Sequence, residues 1–146
     1  MSYNQAVSQV VDGKFNYSSA VVVLPATGTT TISSSQSGTI FSLPQATANT
    51  IINLPAVAAG LNFKFVVAAT ADGAHTQTIT ATAGTPIIGL LLGLTAGFNT
   101  AKAAAISLVL SATAANVKVG DYAQLTCDGT NWSVQAFSSE TACGWS

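Results

Sequence analysis

Along most of this chain apolar residues recur at every second position, in short runs broken by Gly, Pro, Ser and Asn. A two-residue period belongs to strands with one buried face, and short runs mean many strands joined by turns. Thr39 to Leu43 places Phe41 and Leu43 on one face, and Thr50 to Leu54 places Ile52 and Leu54. Asn62 to Val67 sets Phe63, Phe65 and Val67 against Lys64, and Ala105 to Leu110 aligns Ile106, Leu108 and Leu110. Val21 to Leu24 is a continuous run ended by Pro25, and Thr76 to Thr82 carries threonine at every even position. The fold expected is all-β: a single antiparallel β-sandwich or barrel, jelly-roll-like, with an N-terminal arm over residues 1–14 and one β domain over 15–146.

That domain should close on a C-terminal hairpin, because Asp128-Gly129-Thr130-Asn131 is a turn cluster between two alternating runs. Pairing Cys127 with Trp132 sets Leu125 opposite Val134 and Ala123 opposite Ala136, an apolar face, and puts Thr126 with Ser133 and Gln124 with Gln135 on the other. A slip of one residue would mix the two faces. Leu-Pro recurs at Leu24-Pro25, Leu43-Pro44 and Leu54-Pro55, at gaps of 19 and 11 residues. Without a fixed period these pairs read as strand ends, not as a solenoid repeat. Thr100 to Ala105 suggests one or two helical turns and Gln45 to Ala48 one turn; Thr27 to Gly38 reads as an exposed hairpin or loop. Gly84 to Asn99 matches neither period and is expected to be an extended loop packed on a neighbouring subunit.

Charge is scarce. The 146 residues include four lysines, no arginine, five carboxylates and one histidine, a charged fraction of 6% against roughly 25% in a typical domain. Alanine, serine and threonine together fill 59 positions, and hydrophobic residues reach 49%. An apolar content this high supports a buried core and argues against disorder. A net charge of −1 leaves little for phosphate contacts, so no nucleic-acid partner is expected. The longest greasy stretch, Pro86 to Phe98, is shorter than the roughly 18 to 20 residues of a spanning helix, so no membrane partner is expected either. The opening MSYNQAVSQVVDGKF lacks the basic start and apolar core of a signal peptide, which implies cytosolic synthesis. A weakly charged surface favours association, so much of it should meet other copies or a partner.

No constellation of residues points to chemistry. His75 stands in a turn signature, Ala71-Asp72-Gly73-Ala74-His75-Thr76, and no G-x-S-x-G elbow accompanies it. Asp12, Asp72, Asp121, Asp128 and Glu140 are dispersed singly, mostly beside glycine, in positions that suit turns. One histidine and two cysteines sixteen residues apart do not have metal-ligand spacing. The expectation is no catalytic site, no metal and no cofactor. Gly89, Gly93 and Gly97, spaced by four, suggest close backbone packing. Cys127 and Cys143 form a candidate disulfide, since the short tail beyond Phe137 can fold back, although a cytosolic protein keeps its thiols free. Trp132 belongs to the core. The candidate interface residues are Tyr3, Val7 and Val10 in the arm, Ile88, Leu91 and Leu92 in the greasy stretch, and Trp145 in the tail.

Three segments together resemble known proteins: Ser37 to Ala46 (SGTIFSLPQA), Ile52 to Val67 (INLPAVAAGLNFKFVV) and Gly120 to Val134 (GDYAQLTCDGTNWSV). They are similar to segments of small β-rich virion proteins of tailed bacteriophages, most like capsid decoration, or cement, proteins. The resemblance spans about two thirds of the chain, and its motifs are structural. It implies a non-enzymatic structural protein on the outer surface of the capsid in the virion, made in the host cytoplasm. It further implies a homotrimer that bridges capsomers of the major capsid protein, with an N-terminal arm on the shell. Small apolar and hydroxyl side chains suit such a contact, because ordering them costs little rotamer entropy. A tail-fibre or receptor-binding module of a phage is the alternative, since the DGTNW hairpin serves it equally. A hydrolase or carbohydrate-binding domain fits less well, given so few ionisable groups.

Overall fold

The computed structural model describes residues 9–11, 14–16, 19–70, 73–93, 100–105, 107–110, 118–139 and 144–145. Strands β1 (Gln9–Val11) and β2 (Lys14–Asn16) form a small antiparallel hairpin of their own, which straddles the expected boundary between arm and domain. From β3 (Val21–Val23) onward the chain alternates between two sheets. It passes from β3 to β4 (Gly28–Thr31), β5 (Ile40–Leu43), β6 (Thr50–Asn53), β7 (Asn62–Val67) and β8 (Gln77–Thr80), with odd strands in one sheet and even strands in the other. Then follow β9 (Ile87–Gly93), β10 (Thr100–Ala105), β11 (Ser107–Leu110), β12 (Tyr122–Cys127), β13 (Trp132–Ser138) and β14 (Gly144–Trp145). One sheet has seven strands in the order β10-β9-β13-β12-β7-β5-β3, and the other five in the order β14-β11-β8-β6-β4.

The fold is all-β, with two sheets around a single core, but the sheets are mixed and not purely antiparallel. Strands β3, β5 and β7 run parallel, as do β4, β6 and β8, and β9 runs parallel to β13. Alternating burial reports which face of a strand is covered and carries no information about strand direction. Parallel neighbours need a crossover, and from β3 to β8 each crossover is a strand of the opposite sheet. The first half of the domain is therefore a winding of three two-strand coils. Val21 pairs with Ile40 and Ile40 with Lys64, so successive coils are 19 and 24 residues long in one sheet. Thr50 pairs with both Gly28 and Gln77, giving 22 and 27 residues in the other.

This winding explains the Leu-Pro pairs, and its unequal coil lengths agree with the absence of a fixed repeat. The gap of 19 is one full coil, which stacks Leu24 on Leu43 at one corner; the gap of 11 crosses to the opposite corner, where Leu54 sits beside Ile32. All four side chains are buried. The ladder runs on through the corners, with Leu24 N–H donating to Ser42 O at 3.0 Å and Ala68 N–H to Leu43 O at 2.8 Å. At the other corner Ile32 N–H donates to Asn53 O at 2.9 Å and Leu54 N–H to Thr80 O at 2.8 Å. Each leucine points inward while the following proline, which has no N–H to donate, turns the chain.

The core is one cluster made by the two inner faces. Phe41, Phe63, Phe65, Leu125 and Trp132 come from the seven-stranded sheet, and Ile52, Ile79, Leu108 and Leu110 from the other. Phe41 and Phe65 stack at 5.3 Å between centroids, and Phe63 packs on Trp132 at 5.7 Å. The β12–β13 hairpin has the register expected from the sequence, including Cys127 with Trp132, Leu125 with Val134 and Gln124 with Gln135.

Three local expectations are overturned. Within the segment Gly84 to Asn99, expected as an extended loop, Ile87–Gly93 form β9, an interior strand between β13 and β10, and residues 94–99 lie outside the described residues. Its outward residues Ile88, Leu90 and Leu92 are as apolar as its inward ones, so no alternation betrays it. Thr100–Ala105 is strand β10 and not helix, paired with β9 through Thr100 to Leu91 and Lys102 to Gly89. Alanine favours helix locally, and pairing with a neighbouring strand overrides that preference. Residues 45–48 form no helical turn; they belong to a corner where Gln77 Nε2 donates to Pro44 O at 2.8 Å. The stretch Thr27 to Gly38 contains strand β4 and then a 3-10 helix at Ser34–Gln36. That helix is capped by Ser33, whose Oγ accepts from Ser35 N–H and whose own N–H donates to Gln36 Oε1.

Candidate interaction surface

The two outward faces of the sandwich are chemically different. On the five-stranded sheet the register sets Thr29, Ile51, Thr78 and Val109 in one row and Thr31, Asn53, Thr80 and Ser107 in the next. This face is clothed mainly in hydroxyl groups, and Thr80 and Ser107 bond each other at 3.2 Å.

The seven-stranded sheet turns a greasier face outward. One row crosses six strands as Leu92, Phe137, Tyr122, Val66, Ser42 and Val23. Tyr122 and Phe137 lie nearly parallel at 6.3 Å between centroids. The next row runs Leu90, Gln135, Gln124, Lys64, Ile40 and Val21. Val21 and Val23 are 65% and 68% exposed at one edge, and Leu90 and Leu92 are 39% and 42% exposed toward the other. The charged member of the two rows, Lys64, holds its ammonium 5.0 Å above the Tyr122 ring, so its methylenes cover the sheet.

The expected interface residues divide against this geometry. Leu92 stands exposed on the apolar row and Ile88 is half-buried on the same outward side. Leu91 points the other way and is fully buried in the core, which removes it from any interface. The strand period places neighbours on opposite faces, so the three could not act together. Val10 pairs with Phe15 in the small hairpin, and Trp145 pairs with Leu108 at the end of the five-stranded sheet. Tyr3 and Val7 lie outside the described residues. Sequence reasoning missed Val21, Val23, Val66, Tyr122 and Phe137 as surface groups. The polar neighbours across their strands hid the row, which appears only once the register aligns six strands.

The ionisable groups mostly serve the architecture. Asp121 is buried and gathers the loop before β12 onto the end of β13: its carboxylate accepts from Lys118 N–H at 3.1 Å, Ser139 N–H at 3.0 Å and Ser139 Oγ at 2.9 Å. Asp128 accepts from the N–H groups of Thr130 and Asn131, each at 2.7 Å, closing the hairpin turn. Those donors, Asn131 first and then Thr130, hold its carboxyl below the ordinary carboxylate range. His75 is half-buried at the corner before β8, and its sequence neighbour Asp72 lies outside the described residues. Cys127 is a free, buried thiol whose Sγ accepts from Gly129 N–H at 3.4 Å. Its candidate disulfide partner, Cys143, lies outside the described residues. Among the described residues no group of three metal-binding side chains converges, and no helix is long and apolar enough to cross a membrane.

No protein-family model matches this chain, and no curated protein matches its sequence.

Proposed function

We propose that this chain is a non-enzymatic structural protein of a phage virion that decorates the capsid and stabilises it by bridging capsomers of the major capsid protein. The observation that carries the reading is the outward face of the seven-stranded sheet, a broad and weakly charged surface of valine, leucine, aromatic and amide side chains. Such a face suits permanent contact with another protein surface. Apolar area contributes about 25 cal/mol per Å² removed from water, and a contact repeated over a shell accumulates that gain against outward pressure. The carboxylates Asp121 and Asp128 support the same reading, since both hold turns together. The three segments that resemble decoration proteins occupy β5, β6–β7 and β12–β13, the centre of the sandwich.

Immunogold labelling of virus particles from the source of the gene, with antibody raised against the purified chain, tests the reading. Label spread over the head is expected. Label confined to the tail would move the chain to the tail-fibre alternative, and particles without label would overturn both.

A further inference from the structure

We propose that the open end of the winding is closed edge to edge by a second copy of this chain. A two-fold axis normal to both sheets pairs β3 with β3 and β4 with β4, antiparallel, so that each sheet continues across the pair. The inference stands on backbone register at the two sheet edges. It does not depend on the capsid reading, and it leaves the outward face free for the contact proposed above.

The two ends of the sandwich treat their edge strands differently. At one end β10 carries Lys102 at mid-strand and loses register between Lys102 and Ala105, and β14 is only two residues long. A charge, an irregular ladder and a very short strand all discourage a free edge from pairing. At the other end β3 is Val21-Val22-Val23 and β4 is Gly28-Thr29-Thr30-Thr31, both in unbroken register with their inner neighbours and both without charge or proline. Valine and threonine are strand-favouring residues, so this end has none of the protection of the first.

The ladders fix which backbone groups are free there. Ile40 N–H donates to Ala20 O at 2.8 Å and Leu24 N–H to Ser42 O at 3.0 Å, so positions 20, 22 and 24 turn their backbone toward β5. The two-residue period then points the N–H and C=O of Val21 and Val23 out of the sheet edge. In the other sheet Ile32 N–H donates to Asn53 O at 2.9 Å, so Thr30 faces β6 while Thr29 and Thr31 face the open edge. Among the described residues nothing bonds these outward groups, and β1 and β2 form a sheet of their own.

In an antiparallel pair, residues that exchange both hydrogen bonds alternate with residues that exchange none. A two-fold through Val22 sets Val21 opposite the second copy's Val23, and a two-fold through Thr30 sets Thr29 opposite the second copy's Thr31. Every outward N–H then meets a C=O. Val22 and Thr30 are the half-buried, inward members of their strands, and the corner residue Ala26 lies midway between them in the chain. They therefore stand opposite each other across the end of the sandwich, and one axis serves both. A single foreign strand would cover one edge and leave the other open; a second copy covers both in one operation, which selects it as the occupant. The same pairing sets Val21 beside the second copy's Val23, and these are the most exposed large hydrophobics described, at 65% and 68%. Strand twist continues across an edge-paired sheet and leaves this register intact.

Sedimentation velocity of the full chain from about 1 to 100 μM should show a dimer that dissociates in the micromolar range, where the resemblance implies a trimer. Val23→Pro and Thr31→Pro each remove an edge-facing N–H and spare the ladder to the inner strand, so each should weaken the dimer at least about tenfold with unchanged circular dichroism. The double variant Val21→Lys, Val23→Lys sets like charges opposite each other and should do the same with the backbone untouched. Cross-linking reads the register itself. With Cys143→Ser in place, Val22→Cys should form an intermolecular disulfide on mild oxidation, because the axis holds its two Cα atoms about 4.5 Å apart. Thr29→Cys, two residues out of step with its own copy, should form little. A monomer at 100 μM, a trimer, association undiminished by the lysine pair, or cross-linking of Thr29→Cys as readily as Val22→Cys would each overturn the proposal.

Discussion

Gly89 shows how one residue can decide whether a strand joins its sheet. Its φ is +147°, and a Cβ built there would land on the carbonyl oxygen of Val134 in the parallel partner strand. The sequence reading assigned the glycines of this stretch to close backbone approach, and at Gly89 that is what the structure shows. Gly89→Ala should cost about 2–4 kcal/mol, from backbone strain added to forced separation of β9 and β13. Gly28, at φ +80° with open space where a Cβ would go, is the control, and Gly28→Ala should cost about 1–2 kcal/mol from conformation alone. Urea unfolding of the two variants separates the terms. Asp128 gives a second prediction, in pH. Because its folded carboxyl is held below the ordinary range, its contribution is present above the ordinary carboxylate value and is lost as pH falls through the depressed one. Asp128→Asn keeps an acceptor but removes the charge. The Tm difference between wild type and this variant should therefore be largest at neutral pH and vanish in strong acid.

Among the elements, the corners of the three-coil winding carry much of the stability. Leu43 is 1% exposed where β5 turns toward β6, whereas Val23 on the same sheet is 68% exposed. Leu43→Ala should lose about 2–5 kcal/mol and Val23→Ala less than about 0.5 kcal/mol, measured by chemical denaturation. The contrast also marks what was legible in the sequence. Strands β5, β6, β7, β8, β12 and β13 announce themselves by alternation, and the hairpin register follows from a turn cluster plus two faces that must not mix. Strand β9 stays hidden because both of its faces are apolar, and β10 because alanine mimics helix. The parallel winding is hidden for a different reason: it lies in the relation between coils of unequal length, and the Leu-Pro pairs mark corners on both sides of the sandwich, which scrambles their period. The apolar row shares this cause. Leu92, Phe137, Tyr122, Val66 and Val23 are far apart in sequence, and only the register joins them.

For the whole molecule, the scarcity of charge and the uneven clothing of the two outward faces support the proposed account, in which the β-sandwich gives its greasier side to another protein surface. An association built on such a face should respond weakly to salt. Between about 0.05 and 0.5 M sodium chloride the dissociation constant of the purified chain on its capsid should change by less than about twofold, because few charged groups are brought together to be screened. A strong loss of association at high salt would place the contact on the scattered charges instead. The central claim is that the chain is a repeated component of a virus shell. Its copy number relative to the most abundant protein of purified particles, by quantitative mass spectrometry, tests that most directly. The account predicts hundreds of copies per particle, comparable to the major shell protein; a dozen copies, or none, would contradict it.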